Sequence, residues 1–317
     1  MIMRLSLSVT LGLALATSAC AREAETPIED NPAISTLAQD EAGAGPAVAS
    51  FEFPEDAWRD LDPEETLYIE TPHGLVIVEM APEFAPNHVE RMTTLVRERF
   101  YDFLIWHRVI DEFMAQGGGS RANPNHRTEM PNLEAEFTVQ RGAELTVSEL
   151  MPRVINPQAI PQTAQAGFFN GFHAGTQPIA QAMITATGQV NSWLLHCQGA
   201  AAMARTSDPN SAGSQFYITR GDANHLNAQY TVWGRVRLGQ DAVDNIAVGT
   251  HFQDPGFTPD VIRSMRIEAD IPEGERTQVH VVDTNHPAFA AYLDTLRDDA
   301  GNLPDICEIE VPTRIQD

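Results

Sequence analysis

The chain has 317 residues, with 44 Asp and Glu against 20 Lys and Arg, and a formal net charge of −24 at pH 7. That length can bury a full core and holds one large domain or two modest ones. The negative charge makes a phosphate backbone a repulsive partner, which excludes nucleic-acid binding, while 43% hydrophobic and 20% charged residues is an ordinary globular composition.

At the N-terminus, Arg4 precedes an apolar run, Leu5–Ala16, that is too short to cross a bilayer comfortably, and residues 1–19 read as an export signal. The run ends in Thr17-Ser18-Ala19-Cys20, which resembles a bacterial lipobox with Thr17 where that pattern carries Leu. The resemblance implies cleavage before Cys20 and lipidation of it, hence a periplasmic, membrane-anchored lipoprotein. An ordinary signal peptide cut near Ala19 is the alternative. Residues 20–57, rich in Ala, Glu, Asp, Gly and Pro up to Ser50, are expected to form a disordered tether, with order beginning near Trp58.

Thr66–Glu70 and Leu75–Met80 are β-branched and apolar around Thr71-Pro72-His73-Gly74, a strand–turn–strand signal. Pro86 opens a helix in which Val89, Met92, Leu95 and Val96 recur at helical spacing, with Glu90, Arg91, Arg97 and Glu98 facing out. Ile105–Ile110 returns to strand character, and Gly117-Gly118-Gly119 is expected to break it. Further strands are expected at Ala200–Ala204, Gln215–Thr219 and Thr231–Val236, then a short helix over Asp241–Val248 on Val243, Ile246 and Ala247. Many short strands with two helices point to a mainly β, closed antiparallel barrel rather than βαβ layers.

Residues 141–198 interrupt this rhythm as a long insertion, with short helices expected around Ile179–Ile184. Its motif Phe168-Phe169-Asn170-Gly171-Phe172 is expected to pack its loop onto the domain, the alternative being an exposed client- or membrane-contacting tip. Residues 251–317 form a C-terminal extension packed on the barrel, with a helix at Pro287–Arg297 and a strand-like Glu308–Val311. An oxidising compartment permits Cys197 and Cys307 to pair; two separately buried thiols are the plainer expectation, because the sequence does not place their Cα atoms.

Two segments carry the functional signal: His107-Arg108-Val109-Ile110-x-x-Phe113-Met114-x-Gln116-Gly117-Gly118, and Ala204-Arg205 continuing to Gly213-Ser214-Gln215-Phe216-Tyr217. Together with Leu226 and Tyr230 they resemble the signature of the cyclophilin-type peptidyl-prolyl cis/trans isomerases, over roughly Leu67 to Val248. The resemblance implies a closed eight-stranded barrel capped by two helices over residues 58–250, and rotation of X–Pro bonds in envelope proteins during folding. Such rotation must break amide resonance, a barrier of about 18–20 kcal/mol, and needs an apolar slot and a fixed donor near the prolyl nitrogen.

On that pattern Arg108 is the catalytic donor and Gln116 holds it. Phe113, Met114, Tyr217, Leu226 and Tyr230 line the proline pocket, Ala204 and Arg205 offer backbone groups to the preceding residue, and Gln215 buttresses the arginine. Taken singly, Phe113 and Met114 would read as core and Arg108 as a surface ion pair; their joint spacing argues otherwise. Tyr217, where Phe is usual, is expected to put a hydroxyl at the pocket rim. His225 stands where cyclosporin-sensitive members carry Trp, which implies weak cyclosporin binding.

No metal or cofactor is expected: there is no His-Glu-x-x-His, no zinc-type Cys/His spacing, no phosphate-loop lysine after Gly117-Gly118-Gly119-Ser120 and no Gly-x-Ser-x-Gly elbow. The expected partners are proline-containing polypeptides, met by a monomer that touches the membrane only through its anchor. A non-catalytic peptide-binding chaperone and an envelope scaffold built on the C-terminal extension are the competing readings. Truncation after Val248 separates the last from an isomerase, which would keep its activity on a short peptide.

Overall fold

A computed structural model describes residues 51–142, 146–148, 151–152 and 164–315. The expected leader, Cys20 and the tether up to residue 50 lie outside the described residues. Described structure begins ahead of Trp58: the Phe51 ring lies 4.7 Å from Phe53 and 5.7 Å from Tyr292.

In chain order the strands and helices are β1 Trp58–Asp60, β2 Thr66–Thr71, β3 Gly74–Met80, α1 Pro86–Arg97, β4 Ile105–Ile110 and β5 Met114–Gly119. The insertion supplies β6 Val139–Arg141, β7 Met151–Pro152, β8 Gln165–Phe169, β9 Phe172–Thr176 and β10 Val190–Leu194. Then come β11 Ala200–Met203, β12 Phe216–Thr219, β13 Val232–Leu238, α2 Gln240–Asp244, β14 Gly249–Thr250 and β15 Ser264–Ile267. The chain finishes with β16 Val279–Val282, α3 Pro287–Thr295 and β17 Thr313–Ile315.

The main sheet is antiparallel and has nine strands in the order β14-β4-β5-β12-β11-β13-β3-β2-β15. It is a curled, open half-barrel, which corrects the expected closed eight-stranded barrel. The reason lies at its two edges. The chain just ahead of β15 meets the start of β4 through one isolated bridge, Ile105 to Val261, and three backbone bonds (Phe103 N to Ile262 O, Ile262 N to Leu104 O, Trp106 N to Asp260 O), a contact too short to make a strand pair. Inside the curl, Val89, Met92, Leu95 and Val96 of α1 pack with Trp106, Phe216, Trp233 and Val243 in one apolar core.

Local chemistry accounts for the departures from expectation. Arg91 is buried rather than outward: Nη1 donates to Gly213 O at 3.2 Å and Nη2 to Pro131 O at 2.8 Å, so it ties the loop over α1. The three glycines continue β5 instead of ending it. A Cβ on Gly119 would sit 2.6 Å from His107 Nδ1, and Gly118 has φ of +90°, so close packing and backbone hand demand glycine there. Helix α2 is shorter than expected, ending at Asp244. Instead of a strand over Glu308–Val311, a 3-10 turn forms at Ile306–Glu308, capped by the Asp305 side chain accepting from Cys307 N; β17 follows.

The insertion folds as a five-stranded sheet, β6-β10-β9-β8-β7, and the extension joins β1 in a three-stranded sheet, β1-β16-β17. Phe168-Phe169-Asn170-Gly171-Phe172 is the β8–β9 hairpin, with Asn170 and Gly171 both at positive φ and all three phenylalanines buried. A disulfide joins Cys197 to Cys307 across 5.1 Å of Cα separation, so the two thiols are not separate. No described helix is long and apolar enough to cross a membrane.

Candidate active site

The site grows from the alternation of the main sheet. Across β4, β5, β12, β11 and β13 the register pairs Arg108 with Gln116, Gln116 with Tyr217, Tyr217 with Ala202 and Ala202 with Val232. Successive strand residues face opposite sides. Ala115, Phe216, Ile218 and Ala201 therefore enter the inner core, while this row faces the outside of the curl.

Above the row lies a cavity of about 190 Å³ lined by Arg108, Phe113, Met114, Gln116, Ala204, Arg205, Tyr217, Leu226 and Tyr230. Nine of the ten residues singled out from the sequence thus meet around one slot, and the tenth, Gln215, lines the cavity next to it. A larger polar cavity of about 390 Å³ adjoins it, sharing Gln116, Ala204 and Arg205 and reaching Arg127, Ser211 and Gly213.

Arg108 is held by a relay of amides. Its Nη1 donates to Gln116 Oε1 at 3.5 Å and approaches Met114 Sδ at 3.7 Å. Gln116 Nε2 donates to Gln215 Oε1 at 3.1 Å, and Gln215 Nε2 donates to the carbonyls of Pro124 and His126 at 2.9 and 3.0 Å. Two backbone carbonyls thus fix both amide orientations and leave Gln116 Oε1 as the acceptor that faces the guanidinium. Behind this relay, His107 accepts from Gly119 N at 3.1 Å, and burial holds its ring down at a pKa of about 4, so it is neutral.

The far wall differs from expectation. The Tyr217 hydroxyl does not point into the slot: it lies 3.0 Å from Nε2 of His196. His196 is fully buried, and burial lowers its pKa to about 4. Its Nδ1 sits 3.1 Å from Asn227 Oδ1, which also accepts from His196 N at 2.8 Å. With Nδ1 donating to that oxygen, Nε2 is the acceptor and the tyrosine donates. The slot therefore meets the ring of Tyr217 and not a free hydroxyl. Neither His196 nor Asn227 carries a local sequence signal, because both act on Tyr217 from distant segments.

Ala204 N donates to Gln215 O at 2.9 Å, which takes that donor out of substrate contact. The Arg205 guanidinium stacks 4.2 Å over the Tyr230 ring and bonds Gln229 O at 3.0 Å, so it braces the rim. His225 lies against Phe113, ring centroids 5.5 Å apart. None of the described insertion residues lines the 190 Å³ cavity. Instead Phe169, Phe172, Ala174 and Leu194 pack with Met114, Ala202 and Tyr217 and buttress its floor. Cys197, Asp222 and Cys307 lie within 4.8 Å of one another, but the disulfide leaves no thiolate to bind a metal.

The family model for cyclophilin type peptidyl-prolyl cis-trans isomerases matches residues 66–267. A probable peptidyl-prolyl cis-trans isomerase of Brucella suis is 32% identical over 210 residues, covering 66% of this chain and 85% of its own length. Peptidyl-prolyl cis-trans isomerase B of Escherichia coli is 27% identical over 184 residues, covering 56% of this chain and 80% of its own. The crystal structure of cyclophilin AquaCyp293 from Hirschia baltica aligns with a TM-score of 0.69 at 31% identity, covering 83% of this chain and 98% of that one.

Proposed function

Because the chain belongs to the cyclophilin-type peptidyl-prolyl cis-trans isomerase family, we propose that Arg108 is the residue through which it accelerates rotation about X–Pro bonds. The single observation carrying this assignment is the Arg108 guanidinium at the mouth of a slot that Phe113, Met114, Leu226 and Tyr230 help to line, fixed by Gln116 at 3.5 Å. Rotation makes and breaks no σ bond, so the task is electrostatic. A proline ring seated on Phe113, Met114, Leu226 and Tyr230 brings its nitrogen under a permanently charged donor. As the amide twists, the nitrogen lone pair leaves resonance and becomes a hydrogen-bond acceptor. Arg108 then bonds it more strongly than in the planar ground state, and that difference lowers the barrier. The proline ring displaces water from Phe113, Met114 and Leu226 as it seats, and Gln116 and Gln215 act as positioning residues.

A peptide-binding module that had lost catalysis would lack Arg108 or have its slot filled, and among the described residues neither condition holds. The substrates in this reading are proline-containing polypeptides of the cell envelope, met by a monomer in the periplasm and anchored through lipid on Cys20. The leader pattern and the lipobox-like Thr17–Cys20 support this location, as does the Cys197–Cys307 disulfide, which persists in oxidising compartments. Uncatalysed X–Pro isomerisation takes tens to hundreds of seconds, slow enough to limit folding.

The deciding experiment follows cis-to-trans conversion of a short Ala-Pro peptide by wild type and Arg108→Ala. A fall of about tenfold or more with an unchanged fold is expected. Equal rates would remove Arg108 from catalysis. Retention in the membrane fraction that is lost in Cys20→Ala tests the anchor separately.

A further inference from the structure

On the same outer face of the sheet, farther along β13 from the proline slot, the extension covers a second cavity of about 440 Å³. Its walls include Arg235 and Arg237 of β13, Tyr292 of α3, and the stretch from Ile309 to Thr313. It shares no lining residue with the 190 Å³ slot.

The two arginines differ in a telling way. Arg237 is buried and paired: Nε donates to Glu79 Oε2 at 2.7 Å and Nη1 to Gly171 O at 2.9 Å, with the guanidinium 4.7 Å over Phe172. Arg235 is half-buried in the cavity wall, and among the described residues no side chain or carbonyl bonds or ion-pairs its guanidinium. Asp222 and the exposed Glu310 attract it from a distance, and Arg237 repels it. Burial, helped by Arg237, brings it down to about 9, so it remains a cation at neutral pH. With 44 carboxylates against 20 basic side chains in the sequence, an arginine without a partner is not a matter of supply. A guanidinium partly removed from water costs free energy unless an acceptor returns what hydration gave, and its planar fork fits a carboxylate edge-on.

We propose that this cavity binds a carboxylate, gripped by Arg235 and carried by a small organic acid or by an acidic side chain of a polypeptide. The charge count favours a single carboxylate over phosphate, because one guanidinium balances one negative charge, and Asp222 and Glu310 oppose a second. The volume far exceeds a bare carboxylate, and Pro312 with the edge of Val311 gives the group that carries it an apolar contact.

The test uses the folded protein, with propionate and acetyl-Ala-Glu-Ala-amide as probes, and chloride at equal ionic strength and acetyl-Ala-Gln-Ala-amide as controls. The readouts are the Nε–H resonance of Arg235 and the thermal midpoint. A saturable shift of both with a carboxylate probe, absent with the controls and absent from the thermal midpoint of Arg235→Gln, is the expected result. Arg235→Gln should keep wild-type isomerase activity, which certifies its fold. Glu310→Gln should tighten binding by about threefold, because it removes a competing carboxylate. Equal affinity for both probes identifies a small acid as sufficient, whereas clearly tighter binding of the peptide identifies a polypeptide side chain. No saturable response to either probe in wild type and Glu310→Gln, or an equal midpoint shift in Arg235→Gln, overturns the proposal.

Discussion

The Tyr217 hydroxyl and Nε2 of the buried His196 lie 3.0 Å apart beneath the proline slot, and the other ring nitrogen is 3.1 Å from Asn227 Oδ1. The tyrosine is thus a structural donor whose ring, not its oxygen, faces substrate. Tyr217→Phe leaves the histidine acceptor buried and unpaired, which should cost about 1–3 kcal/mol of stability. Isomerisation should stay near the wild-type rate. Urea unfolding and the Ala-Pro peptide measure the two effects independently, and a lost rate with unchanged stability would show that the hydroxyl reaches the substrate after all.

Gln215 does not line the 190 Å³ slot but orients Gln116, and through it Arg108. Gln215→Ala should reduce kcat by about three- to tenfold with little change in KM, as expected for a donor displaced by a fraction of an ångström. The same substitution added to Arg108→Ala should cost almost nothing more, because the relay then has nothing to position. A full additional loss in the double variant would assign Gln215 another role.

Acid should destabilise the fold through its buried histidines. Burial lowers His107 and His196 to about 4 each, against an unfolded value near 6.5, and holds His173 well below the ordinary histidine range. Between those values the unfolded chain binds protons that the native state refuses. Stability is therefore full above about pH 6.5 and declines as the pH falls toward 4. Urea midpoints at a series of pH values should show this fall, with a shallower slope in His196→Gln. A flat profile over that window would mean the rings are solvated.

Reduction of the Cys197–Cys307 bond, or Cys307→Ser, should lower stability by about 3–5 kcal/mol, since the bridge closes a stretch with a sequence separation of 110. None of the slot's lining residues is a cysteine, so peptide isomerisation at low temperature should persist. Thermal unfolding with and without reductant reads the first effect and the peptide assay reads the second.

What could be read before the structure was known follows the range of each interaction. Arg108, Phe113, Met114 and Gln116 lie on one hairpin, Phe113 in its turn, so their spacing alone brings them together, and α1 follows from its apolar repeat. Helical periodicity puts Arg91 on the outside because its partners, Pro131 and Gly213, come from loops that the period does not see. The glycines of β5 looked like a break because glycine is the residue of turns; here they make room for Trp106 and His107. The open sheet, the inward Tyr217 hydroxyl and the pairing of Cys197 with Cys307 all depend on contacts between distant segments, and nothing in the local pattern announces them.

The disulfide has a consequence for how the molecule fails. Residues 197 to 307 form a covalent ring that contains Ala204, Arg205, Gln215, Tyr217, Leu226 and Tyr230, while Arg108, Phe113, Met114 and Gln116 lie on the chain that leads into it. A protease that cuts once between the two halves of the slot, in the exposed loop 206–210 for example, yields two fragments still joined through sulfur. Each half of the slot then remains tethered to the other, and a single nick becomes a scar rather than a severance.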